Sequence, residues 1–277
     1  MKTSKFAAAT LALACVVAPV AAIADTTWDG TAKYSSSIPL VGPFNTYDFS
    51  SGGVLLIDPI NGTEANGYYQ SFVATHLLNG AEAPSAALNS SYEITIAANF
   101  KSVLEPAVGK TQSFTVQSGG TFALYLDTTF SSTGPNPTKH NFSSDTGFMD
   151  GTVIMSGNIL GGDGTTTTKG TTQSGYADLE LQVTYADPSI YSSTPFAIGG
   201  GESSFLLRLN HAIDTAFINS ISKVQSVTYD GTTGDLKYAA DGYLVLTPVP
   251  EPGSYAMLLA GLGLLGTIAR RRSARAG

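Results

Sequence analysis

Ala177-Asp178-Leu179-Glu180-Leu181-Gln182-Val183-Thr184-Tyr185 sets the fold class of this chain. Side chains alternate at period two along an extended strand, so Leu179, Leu181 and Val183 share one face and Asp178, Glu180 and Gln182 the other. One face is built for a core and the opposite one for water. Similar runs, rich in β-branched and aromatic residues, recur on both sides of it at residues 53–57, 68–74, 92–97, 113–117, 121–127, 152–155, 204–209, 224–229 and 243–246. Gly, Asn, Asp and Pro punctuate them, as in Asp58-Pro59 and Asn66-Gly67. The pattern predicts an all-β domain, an antiparallel β-sandwich or jelly roll. Gly119-Gly120 reads as a hairpin turn between two of the runs. Residues 161–175, with their threonine run, read as a long polar loop, and residues 212–222 as the one short helix. There is no fixed-period repeat and no linker, so residues 25–247 are expected to form one domain.

The two ends have a different chemistry. Lys2 and Lys5 precede an apolar stretch over residues 6–20, and Ala22-Ile23-Ala24 follows. That is the charged, apolar, small-x-small order of a cleavable signal peptide, residues 1–24, cut between Ala24 and Asp25 by signal peptidase with Ala22 and Ala24 in the recognition positions. At the other end Val249-Pro250-Glu251-Pro252 opens residues 248–277. An uncharged stretch over residues 254–269 follows, and Arg270, Arg271, Arg272 and Arg275 close the chain. As a helix that stretch is about 24 Å long, short of a hydrocarbon core of about 30 Å, so the flanking arginines must snorkel. Arginines held in the cytoplasm leave the bulk of the chain outside, the topology that the signal peptide also requires. Pro250 and Pro252 lack amide donors and stay out of helix and sheet interiors, leaving that segment extended between domain and membrane.

This tripartite end resembles the PEP-CTERM sorting signal of Gram-negative bacteria. The resemblance implies an inner-membrane-anchored precursor, processing by an exosortase, and release or attachment at the cell surface of an organism that makes extracellular polysaccharide. A second resemblance lies within the domain. Asp145-Thr146-Gly147-Phe148-Met149-Asp150-Gly151-Thr152, followed by an apolar strand, is similar to the flocculation-associated PEP-CTERM proteins. It implies a part in holding cells together within an exopolysaccharide matrix.

Charge and cysteine usage limit the chemistry. Six of the 14 Lys and Arg residues stand in the terminal segments, which leaves eight against the chain's 21 acidic residues. Such a surface repels nucleic acid. Cys15, the only cysteine, lies in the apolar leader, so the exported domain has no thiol, disulfide or Cys-ligated zinc. His76, His140 and His211 form no zinc-spaced pair, there is no Gly-x-Ser-x-Gly elbow, and Gly199-Gly200-Gly201-Glu202 lacks the residues of a phosphate loop. Calcium is the one candidate cofactor. Asp230 and Asp235 in Asp-Gly-Thr-Thr-Gly-Asp, and Asp163 in Gly-Gly-Asp-Gly, join hard oxygen ligands to tight turns, although such pairs also serve ordinary hairpins. Tyr68, Tyr69, Tyr185 and Tyr191 stand in or beside expected turns and could stack on sugar rings. The reading is a non-enzymatic surface or matrix protein supporting floc or biofilm formation with extracellular polysaccharide. The alternative is a secreted hydrolase or lyase acting on polysaccharide.

Overall fold

The computed structural model describes residues 30–128, 139–170, 172–191, 202–210, 215–231 and 234–246, together with Leu262. The expected signal peptide, the sorting tail apart from Leu262, residues 199–201 and His211 lie outside these residues.

Alternation carries most of the architecture. In Thr172–Ala186 (β11), Ala177, Leu179, Leu181 and Val183 are buried while Asp178 and Glu180 are exposed, as the sequence pattern requires. The other strands are Gly30–Ala32 (β1), Val41–Phe44 (β2), Thr46–Phe49 (β3), Val54–Pro59 (β4), Glu64–Leu78 (β5), Ala81–Ala83 (β6), Glu93–Leu104 (β7), Thr111–Val116 (β8), Gly120–Asp127 (β9), Thr152–Lys169 (β10), Glu202–Asn210 (β12), Lys223–Val224 (β13), Val227–Thr228 (β14) and Leu236–Val245 (β15). Every pairing between them is antiparallel.

The main sheet closes on itself. β3 and β4 lie end to end between β15 and β5, and β8 and β9 lie end to end between β7 and β10. Counting each end-to-end pair as one, the ring runs β3/β4, β5, β7, β8/β9, β10, β11, β12, β15 and back to β3/β4. The two layers of this sandwich-like fold are therefore opposite halves of one continuous sheet. Neighbours in sequence are neighbours in space, which is up-and-down order rather than the crossed order of a jelly roll. An eight-stranded closure has an interior that side chains can fill. Tyr47, Tyr69, Phe49, Leu55, Ile94, Ile96, Leu179 and Phe205 are among those that fill it.

A second core lies outside the ring. Val54, Leu56 and Ala239 face outward from β4 and β15. Phe142 and Phe148, the helix Thr215–Ser220 (α1) with Ile218 and Ile221, and the β13–β14 hairpin with Val224 cover them. Both faces of β4 are thus dry, which explains why Val54-Leu55-Leu56-Ile57 reads as a continuous apolar run. Lys237 crosses from β15 to donate to Ile218 O at 2.9 Å and Ile221 O at 2.5 Å, and lies 4.0 Å from the Tyr229 ring centroid. It caps the C-terminal end of α1, where Ile218 O also accepts Ile221 N at 3.3 Å and Ile221 lies just past the helix. Burial pushes its ammonium below the ordinary lysine range.

Four expectations are corrected. Residues 161–175 form a hairpin rather than a loop: Thr165–Thr168 of β10 pair with β11, and Thr165–Thr167 also with β8. Threonine is β-branched, so a threonine run is polar in composition yet extended in preference. Gly119-Gly120 is not a hairpin turn, because β8 and β9 do not pair with each other. Gly119 has φ +101°, and the chain steps there from the pairing Ser102↔Val116 to Asn99↔Thr121, a two-residue reset against β7. A Cβ on Gly120 would stand 2.5 Å from Asn99 O, so the close approach needs glycine. The helix ends at Ser220, so Ile221 and Ser222 of the expected 212–222 lie beyond it. Tyr68 and Tyr69 lie within β5 rather than at a turn.

Candidate functional site

The ring has two unlike poles, and a groove runs along its outer wall. At one pole Tyr34, Tyr47, Tyr191 and His76 are buried with Phe44 and Tyr92 around them. Ser85 Oγ donates to Ala83 O, so at 2.8 Å it must accept from His76 Nδ1–H. His76 Nε2 is then the acceptor for Tyr34 Oη at 2.8 Å. Each tyrosine has a single proton. Tyr47 therefore donates to Tyr34 at 3.1 Å, and Tyr191 to Tyr47 at 2.7 Å. Direction is fixed along the whole chain of bonds from its serine end. Burial pushes all three hydroxyls well above the ordinary tyrosine range and lowers His76 to about 3, so the group is neutral and stays so.

The chain enters and leaves the described body at this same pole. Gly30 pairs with Phe44, and Leu246 N donates to the adjacent Asn45 O at 2.9 Å. Gly30 and Leu246 thus both lie at this pole.

The outer groove spans β7, β9 and β10. Two shallow depressions of about 350 and 310 Å³ meet at Asn99. Thr121, Asn158, Ser156 and Thr184 line the first around the half-buried Tyr125, and Asn66, Tyr68 and Lys101 line the second. Asn99 Nδ2 donates to Thr121 Oγ1 at 3.1 Å. Burial raises the Tyr125 and Tyr68 hydroxyls, which keeps both as neutral donors. The first depression offers hydroxyls, amides and the rings of Tyr125 and the buried Phe122, with no charged side chain among its described lining.

The Asp145–Thr152 segment forms one edge of that groove through Met149. Its Asp145 carboxylate accepts Gln70 Nε2 at 3.0 Å and the consecutive backbone amides of Gln225 (3.1 Å) and Ser226 (2.6 Å). Gln225 and Ser226 have φ of 52° and 66°, the turn of the β13–β14 hairpin, so one carboxylate holds two left-handed residues in place. Gln225 Nε2 reaches Tyr69 O and Ala98 O and fixes the hairpin to the wall. Close by, Glu93 receives His140 Nδ1 at 2.7 Å and His140 N at 3.0 Å, while the His140 ring stacks on Phe72 with centroids 4.0 Å apart.

The residues singled out from sequence are scattered. Asp163 is exposed mid-strand on β10, opposite Asp178 of β11. Asp235 is buried and its Oδ2 accepts Asp230 N at 2.7 Å, a bond within the turn itself. Among the described residues no three His, Cys, Asp or Glu side chains gather where one ion could be held. Tyr69 and Tyr191 belong to the core, and Tyr185 is exposed. Sequence reasoning missed the directed Tyr–His chain and the groove, since their parts are spread from Tyr34 to Tyr191 and come together through pairings between strands, such as Tyr47 opposite His76 and Thr121 opposite both Asn99 and Asn158. Ala22, Ala24, Asp25, Val249, Pro250, Glu251, Pro252, Arg270, Arg271, Arg272 and Arg275 lie outside the described residues.

Residues 248–273 match the family model of the PEP-CTERM protein-sorting motif. The chain is thus an exported protein with a membrane-anchoring sorting signal at its C-terminus, a PEP-CTERM sorting-domain protein and by that class an exosortase substrate. No curated protein and no solved structure matches it.

Proposed function

We propose that the exported β domain works at the cell surface or in the extracellular matrix of a Gram-negative bacterium, where it supports cell aggregation by contacting extracellular polysaccharide. The observation that carries this reading is the outer groove. Side-chain amides and hydroxyls pair with sugar hydroxyls, and the edge and face of Tyr125 suit the apolar face of a pyranose. Weak contacts of this kind gain avidity when many copies decorate one surface. The similarity of Asp145–Thr152 to flocculation-associated proteins supports the same assignment, because that segment builds the groove's rim. The domain acts by binding and has no catalytic step.

The test is a gene deletion complemented with wild type or with a groove variant carrying Asn158→Ala and Tyr125→Ala. Loss of flocculation on deletion, rescue by wild type and failure of rescue by a variant that is exported normally are expected. Unchanged aggregation in the deletion strain would remove the proposal.

A further inference from the structure

Among the described residues, the pole opposite the Tyr–His chain is open. Ala65 lines it and His76 lies in the closed pole of the same strand, roughly 35 Å away at about 3.3 Å per residue. There the ring encloses a cavity of about 450 Å³, walled by Ile57, Leu104, Phe114, Leu236 and Tyr238 among others. This volume falls within the range of about 300–1,000 Å³ typical of small-molecule sites, for which barrel mouths are a preferred place. Its wall is the apolar interior of the sheet continued to the rim, so that Leu236 remains 40% exposed on the face that is fully buried further along β15 at Ala240 and Leu244. Val108 stands 81% exposed at the rim beside it, next to lining residues Ala107 and Gly109. The cavity has no residue in common with the outer groove.

Charge selects the occupant. Among the described lining residues Lys110 carries the only charge, and it sits at the rim in the turn that enters β8. Ser102, Thr166 and Thr168 are the neutral polar groups nearby, and Ser102 Oγ already donates to Ala65 O. We propose that the open pole of the barrel is a binding site for a small anionic amphiphile, with its alkyl or aryl body against Leu104, Phe114, Leu236 and Tyr238 and its acidic head at Lys110. The apolar body leaves water and covers an apolar wall that is itself partly exposed, and the head remains at the solvent boundary, where an ammonium partner costs least.

The experiment is calorimetric titration of the exported protein, recovered without detergent, with decanoate, decanol, decyltrimethylammonium and a neutral oligosaccharide. Decanoate is expected to bind at one site per chain, more tightly than decanol, with the cation weakest. Lys110→Glu should reverse the order of the two charged ligands. Thr168→Trp, which fills the mouth, should weaken decanoate about tenfold or more with an unchanged melting temperature. If that variant fails to fold, Leu236→Glu, at a position already in contact with water, should produce the same loss. Absence of decanoate binding, decanoate affinity untouched by Thr168→Trp or Leu236→Glu, or displacement of decanoate by the oligosaccharide would each overturn the proposal.

Discussion

Acid should unfold this protein through His76, and the size of the effect follows from its surroundings. The ring is fully buried, its Nδ1–H is committed to Ser85, and its Nε2 is needed as an acceptor for Tyr34. A second proton would remove that acceptor, leave two donors facing each other and place a charge among tyrosines. Burial accordingly lowers the folded-state value to about 3, against 6.5 for an ordinary histidine. Between these two values the unfolded chain binds the proton and the folded one does not, so stability falls as pH drops through that window. The stability is fully present above about pH 6.5 and is lost progressively toward pH 3. At about 1.4 kcal/mol per pH unit, the loss between pH 7 and pH 4 comes to about 3 kcal/mol. Asp48 acts in the opposite direction, since burial, then Asp241 and Glu82, raise its carboxyl and favour the protonated folded form. Urea unfolding of wild type and His76→Gln at both pH values isolates the histidine, because the Asp48 contribution is common to the two proteins. The variant should be less stable at pH 7 and should show a correspondingly flatter pH dependence. An equal pH dependence in both proteins, or an imidazole resonance of His76 titrating near pH 6.5, would refute the reasoning.

Other perturbations test the remaining supports. Tyr34→Phe deprives His76 Nε2 of its donor and Tyr47 of its acceptor, and should cost about 2–3 kcal/mol. For a domain of this size that is a fall in Tm of about 4–12 °C, readable by calorimetry. Asp145→Ala removes the acceptor of Gln70 and of two consecutive amides, and should cost about 1.5–3 kcal/mol. Hydrogen exchange at the Ser226 amide should accelerate far more than exchange in β7. Gly67→Ala sends a methyl into the Phe100 ring across the β5–β7 pair, and a loss of about 1–3 kcal/mol in urea unfolding is expected. Mass spectrometry of the protein from the cell exterior should find Asp25 as its first residue and a C-terminus that lacks Arg270 to Arg275; a full-length chain in the cytosol would contradict the export topology.

Sequence by itself determined what depends on local periodicity and on order along the chain. The alternation in β11 fixed the strand, its buried face and the solvent exposure of Asp178 and Glu180, because a period of two is a property of the backbone. The sorting motif was legible for a similar reason: motif, apolar span and arginines stand in linear order along the chain and need no tertiary contact to be recognised. What only the tertiary structure decided depends on which strands meet. Polar threonines at 165–168 became strand because β8 and β11 were there to pair with them, and Gly119-Gly120 became a register step because β7 and β10 each extend past it. The closure of the ring set the rest, placing Tyr34, Tyr47, His76 and Tyr191 in one dry pole and leaving Leu236 and Lys110 at an open one. Burial and hydrogen-bond direction arise from contacts between residues far apart in sequence, and no local pattern carries them.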